Sequence, residues 1–86
     1  MPGDVDAEYR YLAALVNIKL GYFDEAESIS RSFAKDSPYT PYLYFNLGVA
    51  LGKQGSHTRA VANLEKSASY ANKSNELARL ADRSHM

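Results

Sequence analysis

The chain has 86 residues, of which 45% are hydrophobic, and this length predicts one small domain with a packed core. It contains no cysteine, which excludes disulfide bonds and thiolate metal sites. The formal net charge is zero, which argues against a general nucleic-acid or anionic-membrane surface. The charges are nevertheless separated: residues 1–40 carry seven acids and four bases, whereas residues 41–86 carry three acids and six bases.

No apolar run approaches the roughly 18–20 residues that cross a bilayer as a helix, so direct membrane insertion is not expected. The first ten residues are acidic and polar, unlike a signal peptide. These features favour a soluble, cytoplasmic protein. Residues 84–86 resemble a cloning remnant and are left out of the functional interpretation.

The first helix is predicted to run from an aspartate cap, Asp4 or Asp6, to about Leu20, where Gly21 follows as a left-handed cap. One side of this helix is lined by the apolar residues Tyr9, Leu12, Ala13, Val16 and Leu20. A second side is lined by Tyr11, Leu15 and Ile18. A helix that is apolar on two sides must be covered on both sides or use one of them for binding.

The second helix is predicted to begin at Asp24 and to end before Ser37 and Pro38, because proline disfavours a helical residue before it. Its inward residues are expected to be Ala26, Ile29, Phe33 and Ala34. The third helix is predicted to begin at Thr40, a hydroxyl cap, with Pro41 in the first helical position.

The inward face of the third helix is expected to consist of Tyr44, Leu47, Gly48 and Leu51. A glycine inside a helix costs about 1 kcal/mol relative to alanine, so Gly48 predicts the close approach of a neighbouring helix. The expected neighbour is the face that carries Ile29 and Phe33.

Gly55 predicts the next turn, and the fourth helix is expected from Ser56 to about Tyr70. Its inward residues are expected to be Ala60, Val61, Leu64 and Ala68. The polar residues 72–74 predict a break, and residues 75–83 are expected to form a fifth helix. That helix either caps the apolar end of the domain or begins a third repeat, with Leu77, Leu80 and Ala81 packed inward.

Pairs of identical residues recur at a separation of 34: Lys19 and Lys53, Gly21 and Gly55, Ala26 and Ala60, Ala34 and Ala68. Such a period is typical of stacked helical hairpins. The signature of the tetratricopeptide repeat (TPR) family is similar to the set Tyr44, Leu47, Gly48, Gly55, Ala60 and Leu64, and Pro38 stands where that family closes the preceding repeat. The earlier stretch departs from the signature, since Arg10 stands where a large aromatic residue is expected.

The resemblance implies an all-α fold: a right-handed solenoid of helical hairpins with about five helices. It implies a single domain over residues 1–86, with repeats at residues 7–40 and 41–74 and the capping or partial repeat at residues 75–83. In this family the first helices of the hairpins line a concave groove that receives an extended peptide or a partner helix.

The function implied is therefore a protein–protein interaction module, acting as an adaptor or scaffold. The predicted partner-binding residues are Tyr11, Leu15, Ile18, Tyr42, Phe45, Val49 and Lys53. This apolar and aromatic lining suits an amphipathic helix or an apolar peptide. The alternative is that these side chains pack on the amino-terminal residues or on the helix at residues 75–83.

Two further functions stay open: a structural element that self-assembles into homo-oligomers, and a small chaperone that shields an apolar segment of its partner. Some TPR domains clamp a carboxy-terminal carboxylate with lysine and asparagine. Tyr11 and Leu15 stand where those two residues would be needed, and Asn46 alone matches, so this clamp is not expected.

Catalysis is not predicted. His57 has no second histidine or cysteine at metal-ligand spacing, and Ser28, Ser30 and Ser32 lack a glycine elbow and a base. The aromatic residues concentrate in residues 9–45 and the excess of bases in residues 41–86, which speaks against specific nucleic-acid binding. The sequence predicts neither a cofactor nor a metal site.

Overall fold

A computed structural model describes the backbone of residues 2–84 and the side chains of residues 6–72. Within this part of the chain the secondary structure is α1 (Pro2–Leu20), α2 (Phe23–Arg31), α3 (Thr40–Lys53) and α4 (His57–Ser84). The predicted all-helical fold is confirmed. Helices α1 and α2 form one hairpin, α3 and α4 form a second, and α3 lies at the centre in contact with the other three helices.

Both hairpins turn at the predicted glycines, and the two turns have the same geometry. Gly21 has φ +84° and Gly55 has φ +90°, a region where a side chain would be strained. In the first turn the Tyr22 amide donates to the carbonyl five residues earlier, at 2.8 Å; in the second turn the Ser56 amide does the same, at 2.9 Å. Because these bonds lie 34 residues apart, the hairpin repeat is present in the backbone itself.

The core lies where the first hairpin meets α3. One cluster consists of Ala14, Phe33 and Leu43, with Ala7, Tyr11, Leu15, Ile29 and Tyr39 packed around it. A second cluster consists of Ala26, Tyr44 and Leu47, with Ile18, Phe23 and Tyr70 packed around it. The predicted core residues of α3 are buried, and Leu43, which the sequence did not single out, is fully buried among them.

The predicted exposure of α1 is wrong. Tyr11, Leu15 and Ile18 were expected to be exposed in the groove, but they are half-buried against the two core clusters. Water instead covers the other apolar side, where Tyr9 is 70% exposed and Val16 56% exposed. Ala14 explains the choice: its small, fully buried side chain lies on the packed side and permits close contact there.

Helix α2 ends at Arg31, well before the proline that was predicted to stop it. The Phe33 amide donates to the carbonyl of Ser30 at 3.2 Å, a tighter turn than an α-helix makes. This turn directs the Phe33 ring into the core and leaves Ala34 exposed, contrary to the expectation for Ala34. Packing of one large ring therefore outweighs continuation of the helix.

Thr40 does not cap α3 as predicted. It is the first residue of the helix, it is almost fully buried, and its Oγ1 donates to the carbonyl of Ala34 at 2.7 Å. The residue preceding the helix, Tyr39, makes no side-chain cap. The hydroxyl thus closes the loop between the two hairpins, because a buried hydroxyl needs a hydrogen-bond partner.

The predicted break at residues 72–74 is also wrong, since α4 is continuous from His57 to Ser84. The expected fifth helix is the last part of α4, so the described residues 2–84 contain four helices rather than five. Polar residues such as asparagine and serine differ from good helix formers by only about 0.7 kcal/mol or less, which does not stop a helix. The packing expected of Leu77, Leu80 and Ala81 lies outside the described side chains.

The close neighbour of Gly48 is α4 rather than α2. A Cβ at this position would lie 2.6 Å from Cγ of Leu64 and 3.1 Å from the carbonyl oxygen of Ala60. Ala60 is buried as predicted, Leu64 is partly covered, and Val61 and Ala68 are exposed. The glycine is thus the contact point between α3 and α4 within their own hairpin.

Polar contacts attach the second helix of one hairpin to the second helix of the other. An Nη atom of Arg59 lies 2.7 Å from Glu27 and 3.2 Å from Asp24. The Asn63 amide donates to Glu27 at 3.3 Å and to the carbonyl of Arg59 at 2.9 Å. The hydrogen bond to Glu27, with its charge, raises the pKa of Arg59 and keeps this pair ionised.

Candidate functional site

A groove with a volume of about 610 Å³ runs between α1 and α3, the first helices of the two hairpins. Its walls come mainly from the carboxy-terminal halves of these helices. The lining residues are Leu15, Ile18, Lys19, Leu20, Gly21, Phe23, Asn46, Val49, Ala50, Lys53 and Gln54. The groove therefore has apolar side chains along most of its length and polar or cationic groups beside them.

Equivalent positions of the two hairpins face each other across this groove. Leu15 and Val49 are 34 residues apart and both line it, as do Lys19 and Lys53. The helical-hairpin repeat explains this placement, because equivalent residues of adjacent, similarly oriented helices lie side by side.

Four of the seven predicted partner-binding residues line the groove: Leu15, Ile18, Val49 and Lys53. Two others, Tyr42 and Phe45, lie on α3 outside it and are 63% and 52% exposed. Together with Val49 they form an exposed stripe that leads along α3 into the groove, because positions three and four residues apart share a helix face. The structure thus extends the groove along α3 rather than across both helices.

Tyr11 is the predicted residue with a different role. Its ring stacks on that of Tyr39, with centroids 4.7 Å apart, and Tyr39 meets Phe33 edge-on at 5.9 Å. These three rings belong to or surround the first core cluster. Tyr11 therefore supports the helix pair at the other end of α1 and does not line the groove.

The polar residues of the groove share one property: none of them is acidic. Lys19 and Lys53 supply two ammonium groups, and among the described side chains neither lies within 4.0 Å of a carboxylate. Asn46 and Gln54 add amide groups, and the Asn46 amide donates to the carbonyl of Tyr42 at 2.8 Å. The electrostatic character of the groove is therefore cationic.

Sequence reasoning missed Lys19, Phe23 and Gln54 as lining residues and treated Asn46 only as part of a clamp. A signal for Lys19 was available, since it is the periodic partner of Lys53. No signal pointed to Phe23 or Gln54, because both enter the groove through the shape of the two turns.

The described side chains contain no group of three or more histidine, aspartate or glutamate residues placed to hold a metal ion. Among the helices in residues 2–84, none combines the length and the apolar character needed to span a membrane. The feature that distinguishes this part of the chain is thus its groove.

Two stacked hairpins with equivalent turns define a helical-hairpin repeat protein. Residues 41–74 match the family model of the tetratricopeptide repeat, and this segment of the chain is a TPR. The predicted resemblance to that family is confirmed. No curated protein and no solved structure matches the chain. TPR domains generally mediate protein–protein interactions, which is the general role that follows for this segment.

Proposed function

We propose that this chain is an adaptor or scaffold that binds a segment of another protein in the groove between α1 and α3. The observation that carries the proposal is the groove itself, with its apolar lining and its two unpaired lysines within the described residues. Its volume of about 610 Å³ lies within the range usual for ligand sites.

The apolar part of the groove selects for an apolar side chain on the partner. Leu15, Ile18, Phe23 and Val49 surround the space that such a side chain would fill. Burial from water supplies the free energy of binding at a site of this kind. The exposed rings of Tyr42 and Phe45 continue the contact surface, and α3 rises about 16 Å from Tyr42 to Lys53. That length matches about three turns of a partner helix or about five residues of an extended peptide.

The cationic part of the groove selects for charge. Lys19 and Lys53 both line it, and no acidic residue does. A partner segment with an acidic residue beside its apolar side chains would gain an attraction there, and a basic segment would be repelled. The proposed ligand is therefore an apolar peptide or amphipathic helix with one or more carboxylates at the end that meets the two lysines.

A displayed library of random peptides, selected on the chain, tests the proposal because it requires no particular partner to be chosen in advance. Selected peptides should combine apolar residues with aspartate or glutamate, and they should lose binding to Val49→Asp, which places a charge in the groove. The matched control is Val61→Asp, at an exposed valine of α4, which should keep binding. Selected peptides that bind Val49→Asp as well as the native chain would contradict the proposal.

Fluorescence anisotropy of one selected peptide then separates the two parts of the groove. Lys53→Glu should weaken binding about tenfold or more, and the loss should shrink at about 0.5 M salt, because salt screens exposed charges. Lys35→Glu, at an exposed lysine outside the groove, is the control. Binding that ignores the charge at residue 53 would favour a chaperone that shields apolar segments without regard to acids.

A further inference from the structure

A second apolar surface lies on α1 and does not depend on the groove. It consists of Tyr9, Leu12, Ala13, Val16 and Leu20, and is called the α1 stripe. Its four large side chains are 70%, 55%, 56% and 62% exposed in that order. Of these residues only Leu20 also lines the groove. Four large apolar side chains on one helix face are more than the isolated exposed residues that an ordinary surface carries.

We propose that the α1 stripe binds the α1 stripe of a second copy of this chain, with the two helices antiparallel. Such an interface is symmetric, so each copy contributes the same residues and the contact closes as a dimer. Antiparallel packing pairs residues whose numbers sum to about 29, which places Tyr9 against Leu20 of the second copy and Ala13 against Val16. Every large residue of the stripe then has an apolar partner.

The charges beside the stripe select this orientation. Glu8 and Lys19 are eleven residues apart, and at about 100° per residue they lie within about 20° of each other around the helix, on one flank of the stripe. Both are exposed. In an antiparallel pair, residues on the same flank face each other, so each Glu8 meets a Lys19, twice by symmetry. A parallel pair would place glutamate by glutamate and lysine by lysine, and antiparallel helix dipoles add to the preference.

The stripe also sets the expected strength of the dimer. Four side chains on one helix cover less than the roughly 800 Å² per partner of a standard stable interface. The dimer should therefore form reversibly, and sedimentation velocity from about 10 µM to about 1 mM should show a monomer that converts to a dimer. A monomer throughout this range would overturn the proposal.

A pair of matched variants locates the interface. Val16→Asp, at the centre of the stripe, should abolish the dimer, whereas Val61→Asp should preserve it, because Val61 is exposed to a similar degree but lies on α4. Circular dichroism checks that both variants remain helical. Neither residue lines the groove, so peptide binding should survive in both variants and a failure here is independent of the groove. A dimer that persists in Val16→Asp would place the contact elsewhere and overturn the proposal.

A charge exchange tests the antiparallel arrangement. Glu8→Lys alone and Lys19→Glu alone should each weaken the dimer about tenfold, since each change creates two like-charge contacts. The double variant carries complementary charges again and should restore dimerisation. If the double variant is as weak as the single variants, Glu8 does not face Lys19.

Cysteine cross-linking gives a direct measure of orientation, because the native chain has no cysteine. Tyr9→Cys mixed with Leu20→Cys should yield a disulfide-linked heterodimer under mild oxidation. Neither variant alone should cross-link, because the two copies of each cysteine would lie about 16 Å apart along an antiparallel pair, too far for a disulfide. Covalent homodimers of Leu20→Cys without the heterodimer would indicate a parallel pair and overturn the proposal.

Discussion

Arg10 stands where the TPR signature has a large aromatic residue, and its contacts show how the first hairpin compensates. The guanidinium carbon lies 4.5 Å from the centroid of the Phe33 ring. Its Nη1 donates to the Ser32 hydroxyl at 2.8 Å and to the Ser32 carbonyl at 3.3 Å. A planar guanidinium can stack on a ring and donate hydrogen bonds at the same time, so one arginine replaces an aromatic contact and also holds the chain that follows α2.

Two neighbouring aromatic residues of α3 have opposite environments, which gives the first prediction. Tyr44 is 5% exposed and stacks on Tyr70 at 5.5 Å, whereas the ring of Phe45 faces water. Tyr44→Ala should lower the free energy of unfolding by about 3–5 kcal/mol, and Phe45→Ala by less than about 1 kcal/mol. Urea denaturation measures both values. The reverse order of effects would mean that the face of α3 is assigned wrongly.

Phe45→Ala should act on binding instead. Since an exposed aromatic side chain beside a groove is a common anchor for a partner, its loss should weaken a selected peptide by about 2 kcal/mol. The same anisotropy assay measures this, with Tyr22→Ala as the control because Tyr22 is exposed to a similar degree outside the groove.

The Tyr44 hydroxyl gives a prediction about pH. Burial raises the pKa of Tyr44 above its ordinary value of 10.0, and the nearby Tyr70 raises it further. The folded state therefore holds this proton more tightly than the unfolded state does. The resulting stabilisation is complete below about pH 10, the unfolded pKa, and is lost as the pH rises through the folded pKa.

Tyr44→Phe removes this titration, so the free energy of unfolding of the variant should fall less steeply above about pH 10 than that of the native chain. Urea denaturation at several alkaline pH values measures the two slopes. Tyr42→Phe, which removes an exposed hydroxyl from the same helix, should retain the native slope.

At the scale of the helices, the two glycines inside α3 test the contact with α4. A methyl group at position 48 would lie 2.6 Å from Leu64, whereas one at position 52 would lie 3.8 Å from Ala60, an ordinary contact. Gly48→Ala should therefore destabilise the chain by about 1–2 kcal/mol despite the better helix propensity of alanine. Gly52→Ala should stabilise it by up to about 1 kcal/mol.

Thermal or urea unfolding of these two variants compares the same substitution, four residues apart on one helix. The opposite signs are the essential result. Stabilisation by both alanines would show that α3 and α4 are not in close contact at Gly48.

At the scale of the whole molecule, Glu27 joins the two hairpins through Arg59 and Asn63. Glu27→Ala should lower the free energy of unfolding by about 1–2 kcal/mol, because it removes one charge-assisted hydrogen bond and a partner of the buried Asn63. Glu25→Ala is the control, since Glu25 is exposed on the same helix and lies in none of these contacts. Equal effects of the two alanines in urea denaturation would show that this network does not couple the hairpins.

The hairpins also divide the surface between two proposed contacts. The groove lies between α1 and α3, and the α1 stripe lies on the side of α1 that no described element covers. A chain with both contacts would dimerise through one surface and bind its partner through the other. Avidity for a partner with two copies of the recognised segment would follow from that arrangement.

The sequence by itself determined the features that depend on nearby residues. Gly21 and Gly55 predicted both turns, because only glycine adopts a positive φ without strain, and the spacing of 34 residues predicted equivalent hairpins. The pattern of α3 predicted that Tyr44 is buried and Phe45 exposed, because one of its faces is clearly more apolar than the other.

Only the tertiary structure decided the features that depend on which helix packs against which. Helix α1 has two apolar sides of similar character, and the choice between them depends on where Ala14 permits close contact. The end of α2 depends on the burial of Phe33, and the role of Thr40 depends on the carbonyl of Ala34 that it reaches. Local patterns record the preference of a segment, whereas contacts between distant segments contribute comparable free energies that no single segment contains. For that reason Lys19 and Phe23 join the groove, and the α1 stripe remains in water, only once the two hairpins are packed together.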